Sequence, residues 1–439
     1  MSLALVPWLE LAVLVPLLGA PVVWRAGDPR AAARRCLAFS GVGLGCAAAA
    51  CAGFALGVPA PPGPFALDAI SAPLVPFVAL LHALTALATA RTKQVRFSFA
   101  GLLIGQAVRV ATFACAAPEP LAALLILGTL PPYFDLRARG QSARVYALHM
   151  GLFAVLLVAG VQAEGTPAAV LLLLAVLVRG GTFPAHLWVT DLFERASFGG
   201  ALLAVAPVAA MYAALRLVLP LAPPEWVLQS IGLASLLTAV YTAGMALVQT
   251  DARRFFAFLF LSHSALVLVG MELHTELSLT GALALWASAM LSLSGFGLTL
   301  RALEARFGRL SLSEYRGLAT ASPALAACFL LTGLACVGFP GTSGFVAAEL
   351  LVDGAIDASP LVGLGVVAAA ALNGVAVLRA YFLLFTGARY APAVPLGLTP
   401  RERVAVLTLA ALILGGGLFP QLMIGTAHPA AQAAIRGRP

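Results

Sequence analysis

From residue 3 to residue 425 the chain is a succession of apolar runs separated by connections whose charge changes sign in turn. The runs are 3–24, 36–57, 69–90, 97–116, 119–134, 145–163, 167–190, 197–220, 227–249, 253–271, 277–301, 322–352, 361–386 and 404–425. A helix of about 20 apolar residues crosses the hydrocarbon core of a bilayer. The fifth run is short for that task and the twelfth too long. The twelfth contains Gly338-Phe339-Pro340-Gly341-Thr342-Ser343-Gly344 and reads as two half-helices joined by unwound backbone. Odd-numbered connections carry 20 of the 26 Lys and Arg residues. Even-numbered ones carry only acids, from Asp68 and Glu119 to Asp353 and Asp357. Basic loops stay on the cytoplasmic side, so the alternation predicts fourteen helices with both termini outside. One helix more or fewer would scramble it. The tail at 436–439, Arg-Gly-Arg-Pro, is the small exception.

Composition agrees with a polytopic all-α membrane protein, and a bacterial-type inner membrane is the expected location. The chain is 61% hydrophobic and 10% charged with a mean hydropathy of +0.99, too apolar for a soluble domain. Its net charge of +8 sits in the loops, where it sets topology and does not indicate nucleic acid. The six cysteines lie in or beside apolar runs without metal-site spacing, and the six histidines are scattered; no metal is expected. There is no basic region before the first apolar run, so that run is expected to stay as a helix. Phosphate-binding glycine loops and haem-attachment motifs are also lacking, so no cofactor is expected and any electron chemistry belongs to partner chains.

The seventh run departs from plain lipid-facing sequence. Between Val170 and Arg195 it contains Arg179, Gly180, Gly181 and Pro184, then His186, Trp188 and Asp191. A cation beside interrupted backbone is tolerated in a membrane mainly where it faces protein or water. The only lysine of the chain is Lys93, in a loop, so no run carries a base that sheds its proton as a buried lysine does. The interrupted seventh and twelfth runs are five apart and opposite in direction. This makes the runs from 97–220 and from 227–386 a pair of inverted five-helix repeats, preceded by three helices within 1–90 and followed by a last helix at 404–425. No linker or soluble domain is evident.

Four segments resemble a known family. Pro184-Ala185-His186-Leu187-Trp188 through Asp191 is similar to the Pro/His/Trp segment of the antiporter-like membrane subunits of respiratory complex I and of Mrp-type cation/proton antiporters. The stretch 249–270, with Gln249, Asp251, Arg253, Arg254, Ser262 and His263, resembles that family's Gln, Asp, Lys, Arg, then Ser, His stretch. The stretch 338–351 resembles its Gly-Leu-Pro-Gly-Thr break followed by an acid, and 65–81 its third helix. Together they cover about 65–390 in the family's order, closest to the complex I chain M type.

The resemblance implies a fourteen-helix fold with two inverted repeats and a role in proton or cation translocation, beside other membrane subunits of a hetero-oligomeric complex. It also implies departures. The family's central lysine falls on Arg179, its helix 5 glutamate on Ile126, its helix 8 lysine on Val208 and its helix 11 lysine near Ser292 or Leu293. The helix 12 acid falls at Ala348 or, one residue on, at Glu349. A base that switches its proton under a nearby carboxylate is what such chemistry needs, and Arg179 keeps its charge.

The candidates for an ion path are therefore Arg179, His263 and Glu349. Arg179 is a fixed charge or a brace for broken backbone, and Glu349 is the one carboxylate well inside a run, with Asp353 and Asp357 following at i+4 and i+8. His263 titrates near neutral pH or is a packing residue. His186 and Asp191 belong to the family segment and brace it or line an entrance. Arg109, near the middle of the fourth run, contacts a partner or a substrate, or snorkels in a protein-lined groove. Three functions stay open: a translocating subunit, a non-conducting subunit of the same fold, and the membrane component of an anion or bicarbonate uptake system using Arg179 and Arg109.

Overall fold

A computed structural model describes residues 6–59, 61, 63–272, 275–387 and 397–436; His274, the loop at 388–396 and the tail at 437–439 lie outside the described residues. The chain divides into two compact units, Met1–Ala143 and Arg144–Pro439. Among the described residues the only β feature is one antiparallel bridge between Asp251 and Ser311.

The first unit consists of α1 (Trp8–Trp24), α2 (Pro29–Ala55), α3 (Ser71–Leu87), α4 (Phe99–Ala114), α5 (Pro118–Leu127) and α6 (Leu130–Ala138). Long apolar sequence does not mark its own ends, so capping residues do. Asp28 accepts from the backbone N–H groups of Arg30 and Ala31 ahead of Pro29, and Ser98 accepts from Gly101 N. Within the unit, Ser40 Oγ donates to Gln106 Oε1 at 2.6 Å and Gln106 Nε2 returns a bond to the Ser40 carbonyl at 3.2 Å, tying α2 to α4.

The second unit holds α7 (Arg144–Gln162), α8 (Gly165–Gly180), α9 (Leu187–Arg195), α10 (Phe198–Val205), α11 (Ala209–Ala213), α12 (Glu225–Val248), α13 (Ala252–Glu272), α14 (Glu276–Phe307), α15 (Pro323–Cys336), α16 (Ser343–Ala358), α17 (Pro360–Phe385), α18 (Pro400–Leu418) and α19 (Pro420–Arg436). A π turn at Ala214–Val218 and a 3-10 turn at Leu219–Leu221 extend α11. The stretch Phe198–Leu221, α13 and α14 are almost wholly buried, whereas α7 and α17 keep an apolar face outward. That distribution is the pattern of a bundle whose outer helices face lipid. Glycine permits the closest crossing: a Cβ on Gly281 would meet Leu351 N at 2.7 Å, and one on Gly354 would meet Ser278 Cα at 2.8 Å, so α14 and α16 touch backbone to backbone.

Each apolar run of the sequence falls on one helix or on consecutive helices. Eight helical stretches among the described residues, two of them running through consecutive helices (Pro118–Ala138 and Phe198–Leu221), are long and apolar enough to cross a membrane, and up to nine if α18 and α19 count as one span. The last run differs from expectation. The chain bends by 79° between α18 and α19, because Pro420 lacks the N–H that would continue the helix and Phe419 leaves helical geometry at φ −124 and ψ 64.

Candidate functional site

The functional region of the second unit is a set of helix breaks and the side chains that take up their freed backbone groups. The first break lies between α8 and α9. Gly181 turns the chain at φ +73, a left-handed conformation that costs glycine little, and Thr182 N–H returns to the Leu177 carbonyl at 2.9 Å. Pro184 follows and cannot rebuild the ladder. Trp188, at the start of α9, closes the gap by donating its Nε1 to the Val178 carbonyl at 3.0 Å.

A second break, within the eighth apolar run, is one that the sequence reading passes over. Pro207 leaves the Leu203 carbonyl without its usual donor, and Val208 sits at φ 42, an outlier for a β-branched residue. Val208 N–H turns back to Val205 at 2.9 Å, so the Ala204 carbonyl is also freed. Arg179 takes it: Nη2 donates to Ala204 O at 3.3 Å while the guanidinium lies 5.3 Å from the centre of the Trp188 ring. Trp286 Nε1 donates to the Pro207 carbonyl at 3.2 Å. Arg179 is only 6% exposed, its Nε has no partner, and no carboxylate pairs with it among the described residues. It is a buried cation held by a carbonyl dipole and an aromatic face.

The third break lies between α15 and α16, where Gly338 and Gly341 adopt φ +78 and +85. His263, on α13 and 2% exposed, reaches it: Nε2 lies 2.7 Å from the carbonyl of Cys336, the last residue of α15, and Nδ1 lies 2.8 Å from the Leu259 carbonyl one turn back.

Glu349 does not join these two residues. Register sets its direction, since successive helical residues are rotated by about 100°. Ala348 faces the break, within reach of Gly338, and Glu349 is exposed on the outer face of α16 with Asp353 and Asp357. No hydrogen bond or ion pair links Arg179, His263 and Glu349 to one another among the described residues. Arg109 lies on α4 and is buried, 6% exposed. His186 is enclosed by rings, stacked on Phe183 at 5.7 Å and edge-on to Tyr241 at 5.5 Å, and Asp191 pairs with Arg195 at 2.8 Å. His186 Nδ1 and Asp191 Oδ2 are buried without a hydrogen-bond partner among the described residues.

Other polar residues carry weight that the sequence reading did not assign. Arg253 forms a two-pronged ion pair with Glu304, both bonds 2.7 Å, and its Nη1 also donates to the carbonyls of Phe193 and Ala196 at the end of α9. Arg379 donates to the carbonyls of Gln249 and Leu312, and the Arg216 guanidinium lies 5.1 Å from the Tyr212 ring centre. Asn373 Nδ2 donates to Ser262 Oγ at 2.8 Å, and Ser262 donates to the Ala239 carbonyl at 2.9 Å, crossing from α17 through α13 to α12. Arg216 and Arg379 were findable as cations inside apolar runs. The others pair residues too distant in sequence to be read. No cluster of three or more His, Cys, Asp or Glu side chains suited to a metal occurs among the described residues.

Residues 149–373 match the family described as NADH:quinone oxidoreductase/Mrp antiporter, transmembrane. Subunit 13 of the NADH-quinone oxidoreductase of Thermus thermophilus is 32% identical over 270 residues, which are 59% of this chain and 56% of that relative. This chain therefore aligns with little more than half of that relative's length. Among solved structures, a chain of respiratory complex I from Thermus thermophilus with bound NADH superimposes with a TM-score of 0.85 at 23% identity, covering 98% of this chain and 99% of that one. A chain of the Mrp complex from a Dietzia species does so with a TM-score of 0.85 at 21% identity, covering 99% and 98%. At these identities the structural likeness shows the fold, that of a multi-pass membrane subunit.

Proposed function

Because this chain belongs to the NADH:quinone oxidoreductase/Mrp antiporter membrane-subunit family, we propose that it is one membrane subunit of a hetero-oligomeric assembly that translocates protons or monovalent cations. In this reading it crosses a bacterial-type inner membrane fourteen times with both termini outside, and two inverted repeats span 97–220 and 227–386. The observation that carries it is the placement of Arg179 and His263: each is buried, and each reaches a carbonyl at a helix break. An intramembrane charge is costly, and it is retained where ions or water pass or where it holds the pathway's walls. Arg179 supplies a fixed charge that sets the field along the path, and His263 is the titratable group of the pair. Ile126, Val208 and Ser292 or Leu293 at the family's titratable positions make this a reduced axis.

A second reading, a non-conducting structural subunit, is favoured by one observation: Arg179 is engaged by the Ala204 carbonyl and the Trp188 ring, as a brace would be. Purifying the chain from its own membrane and identifying its companions by mass spectrometry tests the assembly claim shared by both readings. Further membrane subunits in fixed proportion are expected. Recovery of the chain alone, or with a soluble carbon-uptake protein only, would contradict it.

A further inference from the structure

Resting on the reading that the chain takes part in ion translocation, we infer that His263 is a proton-operated latch on the break between α15 and α16. The ring carrying protons on both nitrogens holds the end of α15 against α13, and the ring carrying one proton releases it.

Both ring nitrogens face backbone carbonyls, Leu259 O at 2.8 Å and Cys336 O at 2.7 Å, and a carbonyl oxygen only accepts. A neutral imidazole has one N–H and one lone pair; only the imidazolium has two N–H groups. In the neutral ring one of these contacts therefore becomes a lone pair directed at an oxygen. The Cys336 carbonyl also needs an outside donor. Its partner in a continuing helix would be the N–H of Pro340, which proline lacks, and Phe339 N–H is given to Leu334 at 3.1 Å. The end of α15 is the negative pole of its peptide dipoles, and it favours a cation there.

The charged and titratable groups of the elements around α13 do not supply an alternative partner. Arg179 of α8 is bound to Ala204, His186 of α9 is stacked on Phe183, Tyr241 of α12 packs on the same two rings, and Arg379 of α17 is bound to Gln249 and Leu312. Glu349 of α16 points outward, and α14 offers the hydroxyl of Ser292, bonded to the Ser288 carbonyl. The Cys336 thiol, on the residue whose carbonyl meets the ring, donates to the Thr332 carbonyl at 3.1 Å.

In the releasing step the Nε2–H bond breaks, its electron pair stays on nitrogen, and the proton passes to water. The remaining proton keeps Nδ1 on Leu259, which belongs to the same helix and moves with the ring. Nε2 then presents a lone pair to Cys336 O, and the contact between α13 and α15 is lost. Gly338 and Gly341 are the joints that absorb the movement, since their left-handed backbone has no Cβ to restrict it.

Solid-state NMR on the full chain in lipid nanodiscs, with ¹⁵N in histidine rings and ¹³C in cysteine carbonyls, tests the latch without any substitution. A dipolar contact between a ring nitrogen and a cysteine carbonyl reports His263 with Cys336. Over a titration from about pH 5 to about pH 9, the expected result is that the contact belongs to a ring with both nitrogens protonated and falls by about half or more as that ring becomes neutral. A contact that persists at full strength on a singly protonated ring would overturn the latch, as would the absence of the contact at every pH. Neither outcome depends on transport. Ion flux from the reconstituted assembly decides the translocation reading separately, so a titrating latch in a non-conducting assembly would sink that reading alone.

Discussion

The guanidinium of Arg179 lies 5.3 Å from the ring centre of Trp188, facing it across the break between α8 and α9. Stability alone does not account for this cation. A desolvated cation–π contact contributes about 2 kcal/mol and a hydrogen bond to a charged group about 1.5–3 kcal/mol, while taking an unpaired ion out of water costs several kcal/mol. The terms offset, so Arg179→Met is expected to change unfolding free energy by no more than about 2 kcal/mol in either direction. Unfolding of the purified chain in mixed micelles, followed by far-UV circular dichroism, measures this; a larger loss would assign Arg179 a mainly structural role.

Trp188 has two separable contributions. Its ring supports Arg179, and its Nε1 occupies the Val178 carbonyl at 3.0 Å. Trp188→Phe keeps a ring and frees the carbonyl, and should cost about 1 kcal/mol beyond the difference in buried area. Trp188→Leu should in addition leave Arg179 without its aromatic face. If the two variants unfold at the same detergent fraction, the aromatic contact contributes nothing.

Arg253 and Glu304 form a mostly buried pair across 51 residues of sequence, and Arg253 also holds the end of α9. Breaking such a pair leaves a carboxylate without compensation, so Arg253→Met is expected to destabilise by about 3 kcal/mol. Changing both residues to Met should cost less than that single change. A double-mutant cycle on the unfolding curves reads the coupling, and additive effects would contradict it.

The contact of α14 with α16 depends on Gly281 and Gly354, where a side chain would strike backbone that cannot turn aside. Gly281→Leu and Gly354→Leu are each expected to destabilise by about 2 kcal/mol or more through overpacking. Gly374, where nothing lies within 4 Å of an added Cβ, is the control, and its change to Leu should be tolerated. Equal behaviour at the three positions would refute the crossing.

Much of this arrangement was legible before any coordinates. Apolar length gave the helices, and glycine with proline announced the breaks at 180–184 and 338–344. At Pro207 and at Pro420 a single proline inside an otherwise apolar run is enough to interrupt the helix. Glu349 shows the limit of reading by register. One residue of offset turns a side chain by about 100°, so the acid's presence was readable while its direction was not. The pairing of Arg253 with Glu304 and of His263 with Cys336 depends on how distant helices pack, and no local pattern encodes it.

The central claim is that the charge of Arg179 serves ion movement. Proton or cation flux per assembled complex, measured in proteoliposomes with assembly quantified by the co-purifying subunits, tests it in the Arg179→Met variant. The account predicts normal assembly with flux reduced by about tenfold or more, since a barrier change of about 1.4 kcal/mol already gives that factor. Unchanged flux per assembled complex would contradict it and leave the chain as a structural subunit of its family's fold.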